Sequence, residues 1–231
     1  MNNRDYYDND EEPPRPSGPL SRLPAMKEAL PAILCFLIFT TISMIHWHAS
    51  LSELLGASSH AVYTRGEYWR LLTTMFIHAD MLHLLANSFL FLIFGWLLKA
   101  YFGTMVFPLS SFIIGTATTA MTIATYEPAV LLIGASGMIY GMAALWIFFY
   151  IRFDCDHTCQ VRIIRAAGFA MVMLLPTTFN PSTSYRSHAI GFVNGIIAGF
   201  LLLPAVRWKI KTFRDSDDPD HGGNNHHLTA Q

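Results

Sequence analysis

The sequence predicts an all-α polytopic membrane protein with six transmembrane helices, and three observations carry that prediction. Only 31 of the 231 residues, 13%, are Asp, Glu, Lys or Arg, about half the roughly 25% of a soluble domain. They are also unevenly placed: residues 1–30 hold ten and residues 207–231 hold eight, leaving thirteen for the 176 residues between. Such a middle stretch is too poor in charge to cover a domain with a wetted surface. It divides into six charge-free windows, residues 29–52, 81–98, 100–126, 128–151, 166–185 and 187–206, of 24, 18, 27, 24, 20 and 20 residues. A helix needs about 20 apolar residues to cross ~30 Å of hydrocarbon. The windows are continuously apolar rather than alternating in ~10-residue pieces, which favours helices over barrel strands. Three cysteines are too few for a secreted disulfide scaffold, and odd in number. A net charge of −1 without a basic stripe argues against a nucleic-acid partner.

Taken in order, residues 1–28 carry five acids by position 12 and then Pro13, Pro14, Pro16, Pro19 and Pro24, the composition of a disordered tail. An acidic, proline-rich start with no apolar run before Leu30 is unlike a cleavable signal peptide. The membrane domain is expected over 29–206, and a second polar tail with His221, His226 and His227 over 207–231. Six spans leave both tails on one side, together with the 99–101 turn and the 152–165 loop. That side collects twelve Lys and Arg against three (Arg65, Arg70, Arg186) on the other. The positive-inside rule then places both termini in the cytoplasm of a multi-pass plasma-membrane protein, and the short tails suggest a bacterial inner membrane.

Polar groups at membrane depth each ask for a partner or a role. In the fourth window, Pro128 and Gly134 delay the helix until near Ser136, within Gly134-Ala135-Ser136-Gly137. From there to Arg152 is about 16 residues, roughly 24 Å, so the helix start sits below the membrane surface. Non-helical backbone at that depth must be packed in protein or line a wet cavity. Ser136 then stands at a helix N-terminus, which favours a developing anion; equally, serine and glycine are ordinary packing residues in membrane helices. In the sixth window His188 is followed by Gly191, Gly195 and Gly199 on one face. Gly137 and Gly141, with Ala143 and Ala144, form a matching small-residue ridge on the fourth helix. If the ridges pack, Ser136 and His188 meet. On the second span His83 and Asn87 are four apart and share a face, with His78 just before them. Both are neutral donors suited to an oxyanion, or else ties to neighbouring helices. No carboxylate or cysteine joins them, so neither a metal nor any other cofactor is expected. Cys155 and Cys159, flanking His157, read as reduced thiols on the cytoplasmic side.

Together these residues resemble the rhomboid family of intramembrane serine proteases. The resemblance rests on Gly134-Ala135-Ser136-Gly137 with Tyr140 one turn on, and on His188 with Gly191 and Gly195. It also rests on His78, His83 and Asn87, and on Glu67-Tyr68-Trp69-Arg70 upstream. It runs from about residue 67 to 199 and fits the family's six-span form; the first span and residues 48–66 match nothing in it. It implies that Ser136 is the nucleophile and His188 the general base. His83, Asn87 and the Ser136 N–H would bind the oxyanion, Tyr140 would pack on the His188 ring, and Glu67 and Arg70 would brace the first outer loop. The loop 177–187 and the fifth helix would gate substrate entry, with Phe179 as plug. Spans four and six hold no Asp or Glu, so a Ser-His dyad is expected. The implied activity is endoproteolysis of transmembrane segments near the outer face, with transmembrane proteins and the lipid bilayer as partners. Two other functions compete: a silent rhomboid-like protein that binds membrane helices, and a small transporter or channel.

Overall fold

In the computed structural model, residues 18–174 and 184–216 are described. Among them the chain is helical, with one isolated backbone bridge, Ala57 to Leu132, outside the helices. The helices are α1 (Leu30–Ala49), α2 (Ser52–Leu55), α3 (Arg70–Thr73), α4 (Met81–Phe102), α5 (Ser111–Ile123), α6 (Ser136–Phe153), α7 (Cys159–Leu174) and α8 (Tyr185–Ser216). Five segments are long and apolar enough to cross a membrane: Met26–Ala49, Met81–Phe102, Met105–Ile123, Ser136–Phe153 and Tyr185–Thr212. Of the fifth predicted span only α7, 16 residues, falls among the described residues. The architecture is that of a polytopic membrane bundle.

The boundaries depart from the charge-free windows where charge and helix end are different things. Lys99 closes the second window, yet α4 runs on to Phe102 and ends at Gly103, whose φ of 89° and N–H bonds to the Leu98 and Lys99 carbonyls form the stop. α7 starts at Cys159 rather than 166, because Arg162 and Arg165 are good helix formers and the Thr158 hydroxyl accepts the Val161 N–H at 3.5 Å. α8 does not stop at 206; it continues as helix through Arg207, Lys209 and Lys211 to Ser216. Residues 18–28, read as tail, lie against the bundle. Trp96 and Tyr101 donate to the carbonyls of Ala25 and Arg22, Lys99 pairs with Glu28 at 2.8 Å, and Ser21 donates to Asp156 at 2.6 Å.

α6 is the hub. It is 67% buried, against 22% to 50% for the other four candidate spans, and its 18 residues reach roughly 27 Å, short of the hydrocarbon thickness. The surrounding helices turn apolar side chains outward: Leu34, Leu37 and Ile45 on α1, Leu82 and Phe89 on α4, Val193, Ile197 and Phe200 on α8. That is the surface lipid requires. The most extensive helix pair is α6 with α8, and it rests on the two glycine ridges. A Cβ on Gly191 would collide with the Gly137 carbonyl, one on Gly195 would lie 2.8 Å from Ala144 Cβ, and one on Gly199 would enter the Phe148 ring.

Candidate active site

The segment ahead of Ser136 is non-helical and enters the bundle at Leu132 and Ala135, so its backbone polar groups there need partners within the protein. The first connecting loop supplies them. Ala57 and Leu132 exchange N–H···O bonds of 3.1 and 2.8 Å, His60 N–H donates to the Pro128 carbonyl, and the Thr74 hydroxyl donates to the Leu132 carbonyl. The Gly134 N–H donates to the Thr74 carbonyl at 2.9 Å, and Gly134 takes φ of 103°, a conformation suited to glycine. Helix α6 then begins at Ser136.

Around that start the structure gathers residues from three further places. Tyr140, one turn after Ser136, stacks on the His188 ring with centroids 4.0 Å apart and planes 11° from parallel. Gly137 abuts Ser187, the residue before His188. On the other side, a Cβ on Gly134 would lie 2.7 Å from His83 Cε1 and 3.7 Å from Asn87 Nδ2, so these α4 side chains face the turn into α6. Asn87 and His188 are buried, and neither Asn87 Nδ2 nor His188 Nδ1 has a hydrogen-bond partner among the described residues. Orphaned buried donors are rare enough to call for a reason. Asp80, the carboxylate nearest in sequence to His83, is exposed and spent on capping α4: it accepts the His83 N–H at 2.8 Å. Glu127 is exposed. Among the described residues no three His, Cys, Asp or Glu side chains come together to hold a metal.

His78 is fully buried behind His83, edge to face at 5.2 Å. Two α1 residues that sequence reasoning missed hold it: Ser43 Oγ lies 3.0 Å from His78 Nδ1, and Trp47 Nε1 donates to the His78 carbonyl at 2.8 Å. Their four-residue spacing in the first span was the available signal. Glu67 and Arg70 are apart from this cluster and organise the loop. Arg70 is 4% exposed, donates to Glu67 and reaches the Gly56 carbonyl at 2.9 Å, next to the Ala57–Leu132 bridge. Arg70→Ala should therefore cost about 1–3 kcal/mol, since it orphans the buried Gly56 carbonyl while Glu67 keeps its pairing with Arg65. Melting in detergent should show this, and an unchanged melting temperature would deny Arg70 the bracing role. The predicted gate lies mostly beyond view: Phe179 and residues 177–183 are outside the described residues.

A short, largely buried central helix, with serine, histidine and amide groups gathered about its start, defines a polytopic membrane domain with a polar site inside the bundle. The chain belongs to the rhomboid family: the Rhomboid domain model matches residues 65–205. It is 30% identical over 183 residues to "Putative rhomboid protease YdcA" of Bacillus subtilis (strain 168), covering 75% of this chain and 84% of that one. It is 27% identical over 169 residues to the mitochondrial RHOMBOID-like protein 6 of Arabidopsis thaliana, covering 73% of this chain and 55% of that protein. With Rhomboid-like protease 5 of Toxoplasma gondii it shares 25% identity over 169 residues, 19% of that chain's length. The chain thus spans about half the length of the plant relative and less of the Toxoplasma one. The family includes serine proteases, and the relatives' names divide between proteases and rhomboid-like proteins.

Proposed function

We propose that this protein is an intramembrane serine endopeptidase working through a Ser136–His188 dyad on transmembrane segments of other membrane proteins. The observation that carries the reading is the Tyr140–His188 stack, one turn along α6 from Ser136. A serine hydroxyl is a weak nucleophile until a base takes its proton. His188 accepts that proton as Ser136 Oγ attacks the peptide carbonyl, then returns it to the leaving amine. A water, deprotonated by the same histidine, hydrolyses the acyl-enzyme. With no carboxylate on Nδ1 among the described residues, stacking on Tyr140 orients the ring. The tetrahedral oxyanion takes hydrogen bonds from Asn87 Nδ2, His83 and the Ser136 N–H at the start of α6, where the helix dipole adds to them.

A labelled fluorophosphonate tests the reading: it should become attached at Ser136, and only there. A silent, helix-binding member of the family, the alternative that the rhomboid-like names allow, would take no label. Asn87→Ala and His83→Ala should each lower kcat on the order of 10²–10³-fold with KM little changed, because oxyanion donors act in the transition state. If Asn87→Ala melts lower yet turns over normally, Asn87 is a structural tie and leaves the catalytic group.

The orientation belongs to the same proposal. The twelve-to-three division of Lys and Arg puts both termini in the cytoplasm of a bacterial cell and the Ser136 end toward the outside. A reporter fused after Gln231 should be active only in the cytoplasm, and one inserted near residue 58 only outside; the reverse pattern would move the site to the inner leaflet.

A further inference from the structure

The two proposed catalytic residues sit on different helices, and between the Tyr140–His188 stack and the Phe148–Phe200 contact the seam of those helices is made by glycines. Gly137 and Gly141 of α6 lie against Ser187, Gly191 and Gly195 of α8. Such a stripe lets two backbones approach closely, but it is smooth. Van der Waals contact between glycines holds the helices together without fixing how far one has slid along the other. The Ser136–His188 geometry depends on that axial position, so something directional has to set it.

At the start of α8, Tyr126 Oη and Ser184 Oγ lie 2.6 Å apart and Arg186 donates to the Thr125 carbonyl at 2.6 Å; deeper in the span Asn194 supplies a directional contact. It lies on α8 six residues beyond His188, within the Tyr185–Thr212 span, where an amide has no water to satisfy it. Its Nδ2 donates to Thr118 Oγ1 on α5 at 3.1 Å and reaches Met121 Sδ at 3.5 Å. Thr118 is buried, and its Cγ2 lies 2.9 Å from where a Gly137 Cβ would be. Thr118 therefore has two contacts at once: its hydroxyl holds α8, and its methyl lies against α6 at the residue next to Ser136. Ile114, one turn earlier on α5, occupies the same groove beside Gly141, whose virtual Cβ is also 3.1 Å from the Gly191 carbonyl. α5 thus forms the third wall of the seam between α6 and α8.

We infer that Asn194 is a positioning residue: through Thr118 it fixes the axial register of α8 against α6 and so holds His188 in reach of Ser136. The inference rests on the proteolytic reading above and goes beyond it, since Asn194 touches neither reacting group. A displacement of about 1 Å at reacting atoms is enough to cost on the order of 10²-fold in rate, so a modest loss of register would be felt strongly in turnover. It would hardly be felt in stability, because single interhelical hydrogen bonds in membranes contribute little.

The test uses the full-length protein in detergent or vesicles, with the rate of fluorophosphonate labelling at Ser136 measured separately from its end point. Asn194→Leu and Thr118→Val, the second nearly isosteric, should label to the wild-type end point but at least about tenfold more slowly. Melting temperature and substrate KM should stay close to wild type. The double variant should be no slower than the slower single one, as expected of two ends of one bond. Thr118→Ser keeps the hydroxyl and should keep the rate. Wild-type labelling rates in both Asn194→Leu and Thr118→Val overturn the inference. So does a Thr118→Ser protein as slow as Thr118→Val, which would show that retaining the hydroxyl does not retain the register. Should Asn194→Leu fail to fold, Thr118→Val with Thr118→Ser still decides. A wild-type protein that takes no label at all removes the proteolytic reading itself, an outcome distinct from unchanged rates in the variants.

Discussion

Ser136→Ala and His188→Ala should each abolish cleavage of a test transmembrane substrate, with losses on the order of 10⁴–10⁶-fold in kcat, while both proteins insert and melt like the wild type. The size follows from the division of labour. Without Ser136 there is no nucleophile; without His188 the hydroxyl keeps its proton, since Asp80 caps α4, Glu127 is exposed and His83 is given to the oxyanion. Neither side chain is large in the packing: Ser136 is half-buried, and His188 gives α6 mainly its stack on Tyr140. Combining the two changes should add almost nothing, because the pair acts as one unit. The substrate segment should carry Gly or Pro near its outer end, since a helical peptide bond is shielded and already hydrogen-bonded. Stiffening that region with Leu should slow cleavage. Measurable turnover in either single variant, above what water alone gives, would remove the dyad.

What the sequence disclosed, and what it withheld, follows from the range of the signals. Apolar length and missing charge report the bilayer directly, so the existence and order of five of the spans were legible, the fifth window lying partly outside the described residues. The start of α6 at Ser136 was legible because Pro128 and Gly134 are local breakers. The α6–α8 seam was legible because glycines at four-residue spacing have few other uses within a membrane. Helix ends were less so. Arg162, Arg165, Arg207 and Lys209 mark where apolar character stops, yet their backbones continue as helix, so charge misplaced the start of α7 and the end of α8. Least legible were contacts between distant segments. The Thr74 bonds to the segment before Ser136 join positions 58–60 apart. Ser43 beneath His78 and Asn194 against Thr118 are polar residues in apolar windows, and nothing in the local sequence names the partner of either.

The second large effect concerns the seam itself, where paired glycine substitutions separate close packing from helix propensity. Gly191→Ala adds one methyl group that would fall on the Gly137 carbonyl, a backbone atom one residue from Ser136. A flexible side chain could swing aside; a carbonyl in the first turn of α6 cannot, so α8 has to move away. Overpacking of this kind costs about 1–3 kcal/mol, only partly offset by the roughly 1 kcal/mol by which alanine exceeds glycine as a helix former. Activity should fall further than stability, because the retreat of α8 carries His188 away from Ser136 and the loss in rate is steep in distance. Gly168→Ala on α7 is the control. Nothing lies within 4 Å of its virtual Cβ, so only the propensity gain remains, and that protein should melt at or above the wild-type temperature. Melting curves and cleavage rates for the two variants, taken side by side, check the argument. If Gly191→Ala is as stable and as active as Gly168→Ala, the glycine ridge does not set the distance between α6 and α8. The proposed pairing of Ser136 with His188 would then need another cause.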